Sequence, residues 1–238
     1  MLSLLQNARL CKWEPYPHII IENALPEKIY QELWETRPTA KEIIGKLKTS
    51  ENQRVDLPTR RTLNLKLSPV WRDFITYHTS REFFSELMEI FGDYASDNVN
   101  CGVRGAGKFD INMECQPGIN TPLTQTASVR GPHLDNPVEL YGGMFYMRDP
   151  LDNSTGGELE IYKLVKKPKY YGKLEIEQDC VELVDKVPYK ANTLVMFMNG
   201  ETSVHGVSPR SPTTVTRNLV NLIGEVDKPL FKVGHNKY

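Results

Sequence analysis

The sequence has few cysteines, and it arranges none of them as a metal or redox motif. Cys11, Cys101, Cys115 and Cys180 are its four, widely spaced and without a CxxC pair. Two disulfides are arithmetically open to them, but a chain of 238 residues buries enough surface to fold without such staples. No run of about 18 apolar residues occurs, so the sequence offers no helix to span a membrane. The apolar stretch at Leu4 and Leu5 is too short for a signal-peptide core, and Arg9 and Lys12 follow it closely. A reducing, cytoplasmic location with free thiols is expected. Charge imbalance is missing as well. The 29 Lys and Arg residues face 30 Asp and Glu, a net charge of −1, which gives no general attraction to nucleic acid or to anionic membranes. There is no internal repeat, low-complexity tract or dividing linker, so one domain over residues 1–238 is expected.

What is present changes character along the chain. A β-type run, His18 to Ile21, precedes Pro26. Glu27 to Thr36 then places Ile29, Tyr30, Leu33 and Trp34 on one helical face. Thr79 followed by Glu82 has the form of a capping box, and Phe83, Phe84, Leu87, Ile90 and Phe91 recur at helical spacing. These stripes predict helices packed on a sheet. Residues 38–68 are mixed in pattern and are open to a surface helix plus a flexible lid.

From about residue 107 the period becomes two. Phe109, Ile111, Met113 and Cys115 alternate with Asp110, Asn112 and Glu114, as in a half-buried strand. Further strands are expected over Tyr141–Arg148, Glu158–Lys163, Lys173–Glu182, Thr193–Met198 and Val215–Val226. Turn clusters separate them, including Pro117-Gly118, Asp152-Asn153 and Asn199-Gly200. The pattern predicts a mainly β protein with N-terminal helices, its short strands forming a sandwich or barrel. Gln116 to Gln125 is expected as a lid near the site described next.

Of five histidines, His133 stands in Pro132-His133-Leu134-Asp135. An imidazole and a carboxylate two residues apart lie on one side of an extended segment and can reach one ion. Alone this pair carries little weight, and His205, in Ser203-Val204-His205-Gly206-Val207, reads alone as a packed core histidine. Their order with other features gives both more weight. The pair is followed by the aromatic strand Tyr141 to Met147 and by Thr155-Gly156-Gly157-Glu158-Leu159-Glu160-Ile161, a glycine-pair turn entering a strand. Then come a hydrophobic strand, His205-Gly206-Val207, and Arg217 within Val215 to Leu222.

This succession resembles the iron(II)- and 2-oxoglutarate-dependent oxygenases, in particular the prolyl-4-hydroxylase-like branch, over residues 105–226. Pro17 to Pro26 is also similar to the opening segment of such proteins. The resemblance implies a double-stranded β-helix (a cupin-like jelly roll) over 105–226, supported by helices in 1–104. It implies Fe(II) held by His133, Asp135 and His205, with three positions left open. It further implies 2-oxoglutarate and O2 as cosubstrates, with ascorbate as a further candidate, and a hydroxylated product. The implied anchor for the distal carboxylate is Arg217, whose guanidinium suits a two-point grip. Arg210, between two prolines and expected to be solvated, is the competitor. Tyr146 and Asn221 are implied contacts to the cosubstrate, with a core tyrosine and a surface asparagine as the alternatives, and Leu159 is expected to shape the pocket. Retention of Asp135 favours hydroxylation over halogenation and leaves desaturation or ring closure open.

The expected substrate is a small molecule or a peptide, with no nucleic acid or membrane partner. The basic loop Lys163 to Lys173 reads as a solvated turn or as a site for an acidic substrate. Arg130, Asn112 and Asn136 are further candidates to face substrate. The other reading is a cupin-type metal protein, an isomerase or sensor, that does not use 2-oxoglutarate. Such a protein needs no cation behind its metal.

Overall fold

The change of period near residue 107 is a change from helices to sheet. The structure, a computed structural model, describes residues 2–9, 11–92, 99–168 and 174–232. In chain order the elements are β1 (His18–Glu22), α1 (Glu27–Glu35), α2 (Ala40–Ile44), β2 (Arg54–Asp56), α3 (Thr59–Thr62), α4 (Pro69–His78), α5 (Arg81–Phe91), β3 (Cys101–Val103), β4 (Ile111–Asn120), β5 (Glu139–Tyr146), β6 (Leu159–Leu164), β7 (Val181–Val187), β8 (Thr193–Met198), β9 (His205–Val207) and β10 (Arg217–Glu225). No described helix is long and apolar enough to cross a membrane.

The strands form two facing sheets. The larger runs β1-β8-β5-β10-β4-β2, with β3 added parallel to β4, and the smaller runs β7-β6-β9. The segment around His133 extends the smaller sheet, because His133 bridges both His205 and Glu175. Successive strands from β4 onward thus pass back and forth between the two sheets, which is the jelly-roll arrangement. The larger sheet also takes β1, β2 and β3 from the first 104 residues.

Strand alternation sorts the two faces of the larger sheet. Met113, Cys115, Phe145, Met196, Val220 and Leu222 turn outward and meet Leu33, Trp71, Phe74, Phe83 and Leu87 of the helices. Tyr146, Val195, Phe197 and Leu219 turn inward and pack with Leu159 and Ile161 of the smaller sheet. Trp71 fixes α4 to α1 by donating to the Leu33 carbonyl at 2.8 Å. His78 is fully buried in this layer, its Nδ1 donating to the Phe74 carbonyl and its Nε2 accepting from the Leu4 N–H.

Several local expectations change. The cap of α5 is Ser80, whose hydroxyl accepts from the Phe83 N–H, while Thr79 closes α4 by donating to the Ile75 carbonyl. A full capping box stands instead at Thr39 and Glu42, before α2. The first half of the expected lid is no lid: Gln116 to Asn120 lie inside β4, between β10 and β2. Pro117 is tolerated there because its carbonyl, and with it its nitrogen, faces β2, where it accepts from the Leu57 N–H, so the ladder to β10 loses no donor. Gly118 is needed because a Cβ there would meet Asp56 Oδ1 at 2.1 Å. The strand expected over 173–182 begins only at Val181, after a 3-10 turn at Gln178–Cys180. Lys169, Tyr170, Tyr171 and Lys173 of the basic loop, and His235, lie outside the described residues. All four cysteines are unpaired.

Candidate metal centre

His133 and His205 face each other across two strands. Each donates its backbone N–H to the other's carbonyl, at 2.8 and 3.1 Å, the closely bonded kind of antiparallel pair. Their side chains therefore leave the same face of the smaller sheet, and the ring centroids stand 4.2 Å apart. Asp135, two residues beyond His133, shares that face.

The rings are oriented as ligands require. His133 Nδ1 lies 2.7 Å from the Gly131 carbonyl and His205 Nδ1 lies 2.9 Å from the Ser203 carbonyl. A carbonyl only accepts, so each Nδ1 carries a proton and each Nε2 is the ring nitrogen turned toward the centre to serve as a ligand. Those Nε2 atoms sit 3.6 and 3.5 Å from the two Asp135 oxygens. That is too long for hydrogen bonds, yet ligand atoms from all three residues lie within 4.8 Å of one another. Burial lowers His205 to about 4, so its imidazole is neutral near pH 7. Burial works to raise the Asp135 carboxyl, but His205, His133 and Arg130 around it hold it well below the usual carboxylate range. Two imidazole nitrogens and one carboxylate make a donor set suited to Fe(II).

A cavity of about 390 Å³ opens beside this cluster, lined in part by His133, Asp135, His205, Leu159, Asn221 and Arg130. The inner face of β10 presents Arg217, Leu219, Asn221, Ile223 and Glu225 in succession, opposite Tyr146, Met144, Gly142 and Glu139 of β5. Arg217 is buried at one end of this row, its guanidinium 4.6 Å from the ring of Tyr189 and 5.2 Å from that of Tyr146. Arg217 Nε and the Tyr146 hydroxyl have no hydrogen-bond partner. Asn221 is not a surface residue; it lines the cavity and donates to Gln116 Oε1 at 3.3 Å.

Arg210 does not behave as the sequence implied. It is 2% exposed rather than solvated, and it bonds Ser154 Oγ, Asp152 Oδ2 and the Val215 carbonyl. Asn112 and Asn136 serve local backbone carbonyls and N–H groups instead of the cavity.

Three residues that the sequence reading passed over belong to the site. Asn120 is the register partner of both Arg217 and Arg54, and both polar atoms of its buried side chain are unpartnered. Arg54 lines the cavity, held by Asp56 at 2.7 Å. Glu139 lines it near Asp135. Their common signal is register on an inner face, which is unreadable until the strands are paired. The orphaned atoms of Arg217, Tyr146 and Asn120 gather on neighbouring strands, an arrangement that a bound carboxylate would satisfy.

No protein-family model matches the chain, and no curated protein matches it. Solved structures do. A prolyl-4-hydroxylase of Pseudomonas putida is 13% identical, with 89% of this chain and 93% of that one covered at a TM-score of 0.51. A prolyl hydroxylase of Trichoplax adhaerens, solved with a peptide fragment of the hypoxia inducible factor oxygen degradation domain, is 12% identical, with coverage of 88% and 84% at 0.50. SnoN, a non-haem alpha-ketoglutarate-dependent epimerase of nogalamycin biosynthesis, is 8% identical, with 88% and 76% covered at 0.53. At these identities the likeness is one of fold: this chain has the jelly roll of 2-oxoglutarate oxygenases.

Proposed function

We propose that this chain is an Fe(II)- and 2-oxoglutarate-dependent dioxygenase that hydroxylates a small molecule or a residue of a peptide. It works as one domain over residues 1–238, in the cytoplasm. One observation carries the reading: two opposed imidazoles and a carboxylate converge on one point beside a cavity lined by Asn221, and farther along the same inner face of β10 stands the buried guanidinium of Arg217 with an unpartnered donor.

In this reading His133, Asp135 and His205 hold the iron. Arg217 takes the distal carboxylate of 2-oxoglutarate, aided by the Tyr146 hydroxyl and Asn120, and Leu159 and Asn221 shape the chamber. The bound metal and cosubstrate supply the oxidising power, one atom of O2 passing into succinate and the other into the product as CO2 is released. The protein contributes placement and dryness. The Gly131 and Ser203 carbonyls hold the orientation of the two histidine rings, and Phe197, tilted against the His205 ring with centroids 4.6 Å apart, closes one side against water. Prolyl hydroxylases among the similar structures, one of them with a bound peptide, support a peptidyl and even a prolyl substrate. A metal protein without a diacid cosubstrate has no use for Arg217, whose burial carries a cost that only a partner offsets.

The test is anaerobic. Purified protein given Fe(II) and 2-oxoglutarate should develop the weak visible charge-transfer band of the chelate, and His133→Ala should abolish it. A wild-type protein that binds Fe(II) yet gives no band with 2-oxoglutarate would return the reading to the cupin type.

A further inference from the structure

Glu139 is a carboxylic acid inside the cavity that the proposed chemistry does not use. A bulge puts it there. The pairing of β5 with β10 slips between Gly224 and Glu225, so Leu140 and Tyr141 both pack outward among the helices and Glu139 turns inward, opposite Glu225. Bulges of this kind re-aim side chains beside active sites. The backbone is clamped in that position. The Glu139 N–H donates to the Asn136 carbonyl at 2.8 Å, and Asn199 Nδ2 donates to the carbonyls of both Asn136 and Glu139 at 2.9 Å.

The nearby cations are committed elsewhere. Arg104 pairs with Glu225 at 3.1 Å, and Arg130 stands 3.8 Å from both Asp135 and Glu175. Among the described residues no ion pair reaches Glu139. Burial, with Asp135 and Glu225 beside it and only partly offset by Arg130 and Arg104, pushes its carboxyl up to about 8. The open end of the inner face is thus short of positive charge, while the opposite end holds Arg217 and Arg54.

We propose that Glu139 is the specificity-determining residue of the substrate chamber, and that it selects a substrate carrying a cationic nitrogen, an ammonium or a guanidinium. The proposal rests on the oxygenase reading above. A charge-assisted hydrogen bond in this partly dry setting is strong. The division of the chamber also sorts the ligands: the diacid is drawn to Arg217, and a cationic substrate to Glu139, whose ionised form it stabilises.

The experiment uses the anaerobic protein loaded with Fe(II) and 2-oxoglutarate. Matched probes are titrated in, arginine against citrulline and lysine against Nε-acetyl-lysine, each free and within a short peptide. Perturbation of the chelate band reports binding, and succinate release in air reports turnover. At least one cationic probe should bind about tenfold or more tightly than its neutral partner, and Glu139→Gln should erase that difference while Glu139→Asp keeps part of it. Melting curves check folding, and if the Gln variant does not fold, the wild-type pairs and the Asp variant decide. Cationic probes that bind no better than neutral ones, or a Gln variant that discriminates like wild type, overturn the proposal. A wild-type protein that never forms the chelate band fails at the earlier step and overturns the oxygenase reading instead.

Discussion

Arg210 donates to Asp152 at 3.1 Å, with both side chains withdrawn from solvent, and this pairing sets it apart from Arg217. Arg210 is committed to the fold through Ser154, Asp152 and Val215, with only Nη1 left unpartnered, whereas among the described residues no ion pair reaches Arg217, whose Nε has no partner. The two should fail differently. Arg210→Ala leaves the buried Asp152 carboxylate only the longer contact to Arg148, at 3.7 Å, and should destabilise the protein by up to about 3–5 kcal/mol, seen as a lower melting temperature. Arg217→Lys keeps a charge but loses the planar grip. It should raise the 2-oxoglutarate concentration for half-maximal turnover by about tenfold or more, with little change in melting. The reverse pattern would make Arg210 the anchor.

Asn120 gives a sharper separation of stability from binding. Neither Nδ2 nor Oδ1 has a partner, and the side chain is 1% exposed. An unsatisfied buried amide costs free energy, about 1–3 kcal/mol. Asn120→Leu is close in size and removes that cost, so the protein free of cosubstrate should melt no lower than wild type. Its affinity for 2-oxoglutarate, read from titration of the chelate band, should fall severalfold. Unchanged affinity would remove Asn120 from the site.

These residues also mark how far the sequence could be read. His133-x-Asp135 and His205-Gly206-Val207 were visible because the ligands depend on local spacing and on a recognisable order. β8 was visible because six successive buried residues make a plain strand. Asn120, Arg54 and Glu139 were not visible, since their roles come from cross-strand register and from a bulge, both set by long-range pairing. Pro117-Gly118 has the composition of a turn, and only the position of β2 explains why it continues a strand. Ser80 took the cap expected of Thr79 because either hydroxyl can accept a first-turn N–H, although only Thr79 has a glutamate three residues on. Arg210 seemed exposed between its prolines because nothing local announces Asp152.

His78 should leave a signature in the pH dependence of stability. Burial lowers it to about 4, from an ordinary value of 6.5. Its neutral form is built into the fold, so the stability it contributes is fully present above pH 6.5. It is lost as pH falls toward 4, where the unfolded chain binds the proton more readily. The loss is on the order of a few kcal/mol across that window. His78→Gln should start less stable at pH 7 and show a flatter decline between pH 6.5 and 4 in chemical denaturation. An equally steep decline would place the titration elsewhere.

The glycine pair before β6 separates two demands that the sequence motif merges. Gly156 and Gly157 have φ of 75° and 72°, so any other residue is strained at either position. Their surroundings differ. A Cβ on Gly156 would stand 1.9 Å from the Pro209 carbonyl oxygen, while one on Gly157 would stand 3.1 Å from Arg217 Nη1. Backbone cannot yield as a guanidinium can, so Gly156→Ala should be the more destabilising, by at least about 2 kcal/mol. Gly157→Ala should act through Arg217 and raise the requirement for 2-oxoglutarate. Combined with Arg217→Lys, Gly157→Ala should therefore be non-additive in cosubstrate affinity, while Gly156→Ala should add independently. Equal additivity in the two cycles would mean that the second glycine serves the turn alone and leaves the arginine undisturbed.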